Sequence, residues 1–188
     1  MEIRLISHAS VVIRTDVSIW TDPWLFGKAF NDSWSLLPPP AMDESLYKSV
    51  NYIFISHEHP DHFHIPTLKS LPEDFKNRVT ILFQDNNSDK VFKALIRLGY
   101  PNTRAIPHDK LVELRGGTKV YCYQAGSMDS ALGVIGNGKT VLNVVGPHGD
   151  YRMIHFLLNR GKNYAMDTYG ALITVYRQGG DAAGRGLE

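Results

Sequence analysis

Three imidazoles and the carboxylate of Asp61 fall within six residues at His57-Glu58-His59-Pro60-Asp61-His62, just past the apolar run Tyr52-Ile53-Phe54-Ile55. Imidazole nitrogen and carboxylate oxygen are the donors that bind borderline and hard divalent cations. His57 and His59 stand two apart, so in extended chain their side chains point to the same side and can converge on one cation. Asp61 and His62 turn away from that pair and offer a second, harder ligand set. Each half-site needs further ligands from elsewhere in the fold. Two cations about 3.5–4 Å apart would bridge a water, lower its pKa toward about 7 and polarise a carbonyl or phosphoryl oxygen, which is the chemistry of ester hydrolysis.

Other polar residues carry weaker signals. Glu58 alternates away from its flanking histidines and is assigned to solvent. Asp22, in Thr21-Asp22-Pro23, can hold backbone amides of a turn or orient a ligand histidine, which is preferred over direct ligation. His64 is expected at the surface or in hydrogen-bonded support of the ligands, and His108, in Pro107-His108-Asp109-Lys110, in a solvated polar turn. Trp24, Phe30 and Trp34 either line a substrate pocket as rigid apolar walls or cover the edge of the core.

The elements that must position the motif are legible from periodicity. Ile3 to Ile6, Val11 to Arg14 and Ser18 to Thr21 read as an antiparallel meander with a turn at Asp16. From Asp22 to Met42 the aromatic residues and Pro38-Pro39-Pro40 exclude regular structure for most of the segment, and a loop this long is more often functional than idle. Asn51 to Ile55 is a continuous apolar run, so it reads as a strand buried on both faces with the histidines at its C-terminal mouth. Ile65 to Leu71 predicts a short helix with Pro66 near its start, and Val79 to Phe83 a strand. Ser88 predicts the cap of a helix whose apolar positions Val91, Phe92, Leu95, Ile96 and Leu98 fit a 3.6 period, stopped at Gly99. Thr118 to Tyr123, Ala131 to Ile135 and Thr140 to Val144 read as strands, the last two joined by a hairpin turn at Gly136-Asn137-Gly138-Lys139. Tyr151 to Arg160 reads as a helix, Ala171 to Arg177 as a strand and residues 179–188 as a disordered tail. The pattern is a layered α/β sandwich with a mixed sheet in one domain over residues 1–178.

Composition narrows the class. A chain of 188 residues, 43% hydrophobic and 11% aromatic, can bury one substantial core. A net charge of +1 with no basic run argues against nucleic acid as a partner. No apolar stretch approaches the length of a membrane span, and no basic and apolar leader is present, so a cytoplasmic location is expected. The single cysteine, Cys122, fits a reducing compartment and reads as a buried strand thiol. A small-molecule substrate is the expected partner, and homo-oligomerisation is left open.

The segment His57-Glu58-His59-Pro60-Asp61-His62 resembles the signature of the metallo-β-lactamase superfamily, whose fold is an αβ/βα sandwich. Ser7-His8-Ala9-Ser10 and Thr21-Asp22-Pro23-Trp24-Leu25 are similar to the branch holding ascorbate-6-phosphate lactonase, N-acyl phosphatidylethanolamine phospholipase D and CMP-N-acetylneuraminate hydroxylase. Gly27 to Leu36, Ser56 to Leu68, Met128-Asp129-Ser130 and Val141-Leu142-Asn143 resemble the hydrolase-like part of the last most of all. The resemblance covers residues 3 to 145. It implies two divalent metal ions, zinc first, with His57 and His59 on one and Asp61 and His62 on the other. It also implies that Asp129 stands where typical members have a third histidine of the first site. A carboxylate there hardens the site and tilts its preference toward iron or manganese. His8 would lie near the floor of the site or serve as a hydrogen-bonded core histidine. The family's bridging carboxylate is expected shortly after Val141-Leu142-Asn143, where this chain has Gly146, which has no ligand atom. Either His148 or Asp150 substitutes, or the second half is truncated or diverged and the site weakened; His155 and Asp167 are remoter candidates.

Three functions are therefore in play. The first is a metal-dependent hydrolase in which the cation pair generates hydroxide for attack on an ester, lactone or phosphoester bond, with Asp61 both ligating and orienting the nucleophile. The second is a di-iron oxygenase-related domain, which would need a separate electron donor because one cysteine cannot build a Rieske cluster. The third is a non-catalytic scaffold that has lost its distal ligands.

Overall fold

Two six-stranded sheets lie face to face, and helices cover the outer side of the first. The computed structural model describes residues 1–42, 44–86, 88–125, 128–145, 165–166 and 171–177, by backbone alone at residues 125, 144–145 and in the last two segments. Strands β1 (Glu2–Ser7), β2 (Ser10–Arg14) and β3 (Ser18–Thr21) form the expected antiparallel meander. The segment after β3 is not wholly irregular, since β4 (Lys28–Ala29) and β5 (Trp34–Ser35) pair as a small hairpin. Its tip holds Phe30, Asn31 and Asp32 at φ of 51°, 51° and 66°, left-handed conformations that non-glycine residues give no strong sign of adopting.

Helix α1 (Ser45–Ser49) leads into β6 (Tyr52–Ile55), which lies parallel to β3. Helices α2 (Ile65–Ser70) and α3 (Glu73–Arg78) precede β7 (Thr80–Gln84), parallel to β6. Helix α4 (Lys90–Arg97) precedes β8 (Thr103–Ile106), parallel to β7. The first sheet therefore runs β1-β2-β3-β6-β7-β8 and is mixed. Strand β6 is buried on both faces as expected: Ile53 and Ile55 pack among Leu46, Leu68, Phe75 and Leu95 of the helices, while Tyr52 and Phe54 face the second sheet.

That second sheet is antiparallel throughout, built from β9 (Leu111–Glu113), β10 (Lys119–Ala125), β11 (Asp129–Gly136), β12 (Lys139–Val145), β13 (Ala165–Met166) and β14 (Ala171–Arg177). The turn between β11 and β12 has Asn137 and Gly138 at φ of 53° and 66°, the geometry an Asn-Gly pair favours in a two-residue hairpin. Val120, Cys122, Leu132, Val134 and Val141 fill the layer between the sheets.

Some boundaries differ from expectation. The N-cap of α4 is Asp89, and the Ser88 hydroxyl accepts from the Lys90 amide at 3.3 Å from one residue further out. Gly99, at φ 91°, ends that helix as read, with the Tyr100 amide returning to the Leu95 carbonyl at 3.1 Å. Strands β8 and β9 are elements that periodicity did not announce, because β8 buries only one of its four residues and β9 is three residues long. The helix expected at Tyr151 to Arg160 and the tail at 179–188 lie outside the described residues. Among the described residues no helix is long and apolar enough to cross a membrane.

Candidate metal centre

The exits of the parallel strands converge at one end of the first sheet. Asp22 follows β3, Ser56 and His57 follow β6, and Gln84 closes β7. His8 sits in the turn between β1 and β2, and Asp129 opens β11 on the facing sheet. This is the end of an α/β sheet where polar side chains can gather without breaking the apolar layers behind them.

Six side chains at this end form two groups of three donors. His57, His59 and Asp129 offer one ligand atom each within 4.8 Å of one another, and so do His8, Asp61 and His62. In the first group His57 Nε2 lies 2.9 Å from His59 Nδ1 and 3.7 Å from Asp129 Oδ1. In the second, Asp61 Oδ2 lies 3.0 Å from His8 Nε2 and 3.1 Å from His62 Nε2. The groups adjoin, the His57 and His62 rings standing 4.1 Å apart between centroids. All five residues singled out from the sequence, His57, His59, Asp61, His62 and Asp129, are thus brought together, and the half-buried His8 joins them.

Asp22 and Ser56 set the two central imidazoles. Asp22 Oδ1 accepts from the Ser56 amide at 2.8 Å and its Oδ2 accepts from the Ser56 hydroxyl at 2.7 Å. Oδ2 also lies 3.0 Å from His62 Nδ1, while the Ser56 hydroxyl is 3.0 Å from His57 Nδ1. Both rings are therefore gripped at Nδ1 and present Nε2 to the donor groups, the arrangement by which outer partners fix a ligand histidine. Asp22 is fully buried and makes no direct contribution to either donor group.

Electrostatics divide the two histidines. Burial, then the neighbouring His62, pushes His57 down to about 4, so it is neutral at physiological pH. Burial alone would lower His62 as well, but the Asp22 charge and hydrogen bonds to Asp22 and Asp61 outweigh it and lift His62 to about 9. Burial opposes ionisation of Asp61, yet hydrogen bonds from His62 and His8 hold its carboxyl well below the usual range. A buried carboxylate between two imidazoles is a donor set poised for a cation. Its Oδ1 is buried and has no hydrogen-bond partner among the described residues. An orphaned oxygen of this kind is costly unless something completes it, and two adjoining groups, each of a histidine pair with a carboxylate, fit divalent metal ions.

Gly146, which stands where the bridging carboxylate is expected, and the substitutes His148 and Asp150 lie outside the described residues, as do His155 and Asp167. Two residues that spacing did not single out, Gln84 and Ser130, brace the described centre. Gln84 Nε2 donates to the Ser56 carbonyl at 3.2 Å and to the Met128 carbonyl, and Gln84 Oε1 lies 3.0 Å from His108 Nε2. Ser130 Oγ donates to the same Ser56 carbonyl at 2.6 Å. Gln84 and Ser130 thus tie the backbone before His57 to the backbone before Asp129. The signal available was a glutamine ending the apolar strand Thr80-Ile81-Leu82-Phe83-Gln84. His108 is half-buried against Gln84 instead of lying in a solvated turn. His64 is buried, not at the surface, and caps α2 by accepting from the Thr67 amide at 3.2 Å. Glu58 pairs with Lys90 at 3.0 Å on the outside.

Aromatic rings border the centre. Trp24 is buried edge-on to His8, whereas the half-exposed Trp34 and Phe30 stand against His8 and His59 at 6.2 and 6.1 Å between centroids.

Comparison with known proteins agrees with this fold. The family described as "Beta-lactamase superfamily domain" matches residues 2–145. Among curated proteins, cytidine monophosphate-N-acetylneuraminic acid hydroxylase of Asterias rubens is 30% identical over 77% of this chain, and that of Danio rerio 29% identical over 90%. The chain spans only 23% and 31% of those proteins' lengths. Among solved structures, isothiocyanate hydrolase from Delia radicum gut bacteria superposes with a TM-score of 0.61 at 18% identity, covering 93% of this chain and 76% of that one. The CmlA beta-hydroxylase superposes at 0.55 and 18% identity over 86% of this chain and 34% of that one. At such identity the likeness is one of fold.

Proposed function

Because the chain belongs to the beta-lactamase superfamily, we propose that it is a metal-dependent hydrolase acting on an ester, lactone or phosphoester bond of a small molecule. The observation that carries this reading is the adjacency of two donor groups, each of two imidazole nitrogens and one carboxylate oxygen. His57, His59 and Asp129 would hold one cation, and Asp61, His62 and His8 the other. Divalent cations there, zinc first and iron or manganese next, would acidify a water and polarise the oxygen of the bond under attack. Asp61 would be the catalytic carboxylate, both ligating a cation and orienting the attacking water. Asp22 and Ser56 keep both imidazole Nε2 atoms turned toward the reacting centre. Phe30 and Trp34, 5.0 Å apart between ring centroids, would border the substrate at the rim of the site.

Elemental analysis and calorimetric metal titration of the purified chain, beside the His59→Ala variant, test the assignment. The expected result is two equivalents in the parent, one in the variant, and hydrolysis abolished by a chelator. Stoichiometric metal that survives His59→Ala unaltered would refute it.

A second reading is favoured by Asp129. Two histidines and one carboxylate in each group is the donor pattern of non-haem iron oxygenases, and the curated relatives are named as hydroxylases. Under this reading the centre holds iron and receives electrons from a donor outside these 188 residues, whose single cysteine cannot anchor an iron-sulfur cluster. Oxygen consumption by the iron-loaded chain with a reductant, absent from the zinc-loaded chain, would select it over hydrolysis.

A further inference from the structure

An apolar cleft of about 250 Å³ opens beside His8, between the end of β1 and the segment Ser35 to Ala41. Leu5, Ile6, Leu36, Leu37 and Pro38 line it, and His8 is the one titratable side chain among its lining residues. The segment is pinned to β1, with the Ala41 amide donating to the Ile6 carbonyl at 2.7 Å and the Arg4 guanidinium donating to the Ala41 carbonyl at 2.9 Å. Leu37 is 83% exposed, and the exposed Trp34 stands against His8 at 6.2 Å between ring centroids. Apolar surface gathered in one place marks a binding surface more than a solvated one. His8 forms one wall, and its Nε2 is 3.0 Å from Asp61 Oδ2, so a group in the cleft lies one imidazole away from the reacting centre.

We propose that this cleft is a substrate subsite for a short, uncharged acyl chain, so that the centre cleaves carboxylic esters whose acyl side lies against Leu5, Ile6 and Leu37. The inference rests on the hydrolase reading and names its substrate class. The lining provides no guanidinium or ammonium group for a phosphate or a sugar nucleotide, and its volume falls just below that of drug-sized sites, about 300–1,000 Å³. Water adds to the acyl carbon, the acyl–oxygen bond breaks, and the proton released goes to the departing alkoxide, giving acid and alcohol.

The test uses the zinc-loaded full chain with 4-nitrophenyl acetate, butyrate, hexanoate and octanoate, and in parallel the binding of 1-alkanols from ethanol to octanol read by tryptophan fluorescence. Each methylene that enters the cleft should raise kcat/KM and alkanol affinity about fourfold, the factor equivalent to 0.8 kcal/mol per buried methylene, until the cleft is full. Leu37→Asp should flatten both series, Ser35→Trp should move the plateau to a shorter chain, and Ile96→Ser, on an exposed face of α4, should change neither. Alkanol affinity that climbs with length while no ester is cleaved would keep the cleft and reject the hydrolase reading. A flat alkanol series would overturn the cleft whatever the hydrolysis. Flat series together with a concentration-dependent dimer abolished by Leu37→Asp would identify a second copy of the chain as the occupant and overturn the proposal.

Discussion

Replacing Asp22 by Asn removes a charge from the centre while keeping the side chain's shape and one acceptor oxygen. Asp22 is fully buried and serves the Ser56 amide, the Ser56 hydroxyl and His62 Nδ1. Its charge is the chief influence lifting His62 to about 9 against the opposing effect of burial. Set against the ordinary value of 6.5, that shift in a nearly buried group corresponds to about 3 kcal/mol in the metal-free protein. Because the folded-state value is raised, this stability is fully present below the unfolded value and is lost as pH rises through about 9. His57 has the opposite sign and a separate window: lowered to about 4, it costs stability as pH falls from 6.5 toward 4 and contributes no slope above. Asp61 shares in lifting His62 and stays in place, so urea denaturation of the metal-free parent and Asp22→Asn should differ by part of the His62 contribution, at most about 3 kcal/mol, near pH 6, with the gap closing toward pH 10. In the metal-loaded protein the loss of the outer partner should weaken the ion on His62 about 10–100-fold. A stability difference that is equal at both pH values would refute the reasoning, because it would mean that Asp22 acts only through the Ser56 hydrogen bonds.

Gln84→Leu deletes the amide that joins the Ser56 and Met128 carbonyls, so calorimetry should show the equivalent held by His57, His59 and Asp129 weakened more than the other. Equal weakening of both equivalents would mean that Gln84 supports the fold as a whole. Cys122 is buried between the sheets and its thiol is pushed up to about 12, chiefly by burial. A disulfide reagent at about pH 8 should leave it unmodified in the native chain and react at once in urea.

What the sequence made legible was local. His57 and His59 could be placed at the mouth of a doubly buried strand because Tyr52 to Ile55 has no polar break and two-residue spacing sets the direction of a side chain. Asp129 enters from the opposite sheet, and nothing in its own neighbourhood says that β10 and β11 bring it 3.7 Å from His57; only the resemblance supplied it. His8 had two equal readings because its contact with Asp61 spans 53 positions of chain. The β4–β5 hairpin escaped notice because its turn is made by Phe30, Asn31 and Asp32 without a glycine. In each case the missing information was a long-range approach or a backbone conformation that residue type does not announce.

Ser56 shows why the two halves of the centre should be treated as one unit. Its amide and hydroxyl both donate to Asp22, its hydroxyl also meets His57 Nδ1, and its carbonyl accepts from Gln84 and Ser130. One residue thereby joins the exit of β3, the end of β7 and the start of β11, so the spacing between His62 on one donor group and Asp129 on the other is set through a single backbone position. A buried network is rigid only while every member is satisfied. Moving either sheet would strand at least one of these donors away from water, at a cost of about 1–3 kcal/mol each. The separation of the donor groups is therefore a property of how the sheets pack, and the apolar layer of Phe54, Leu82, Cys122 and Leu132 behind Ser56 belongs to the metal centre as much as to the core.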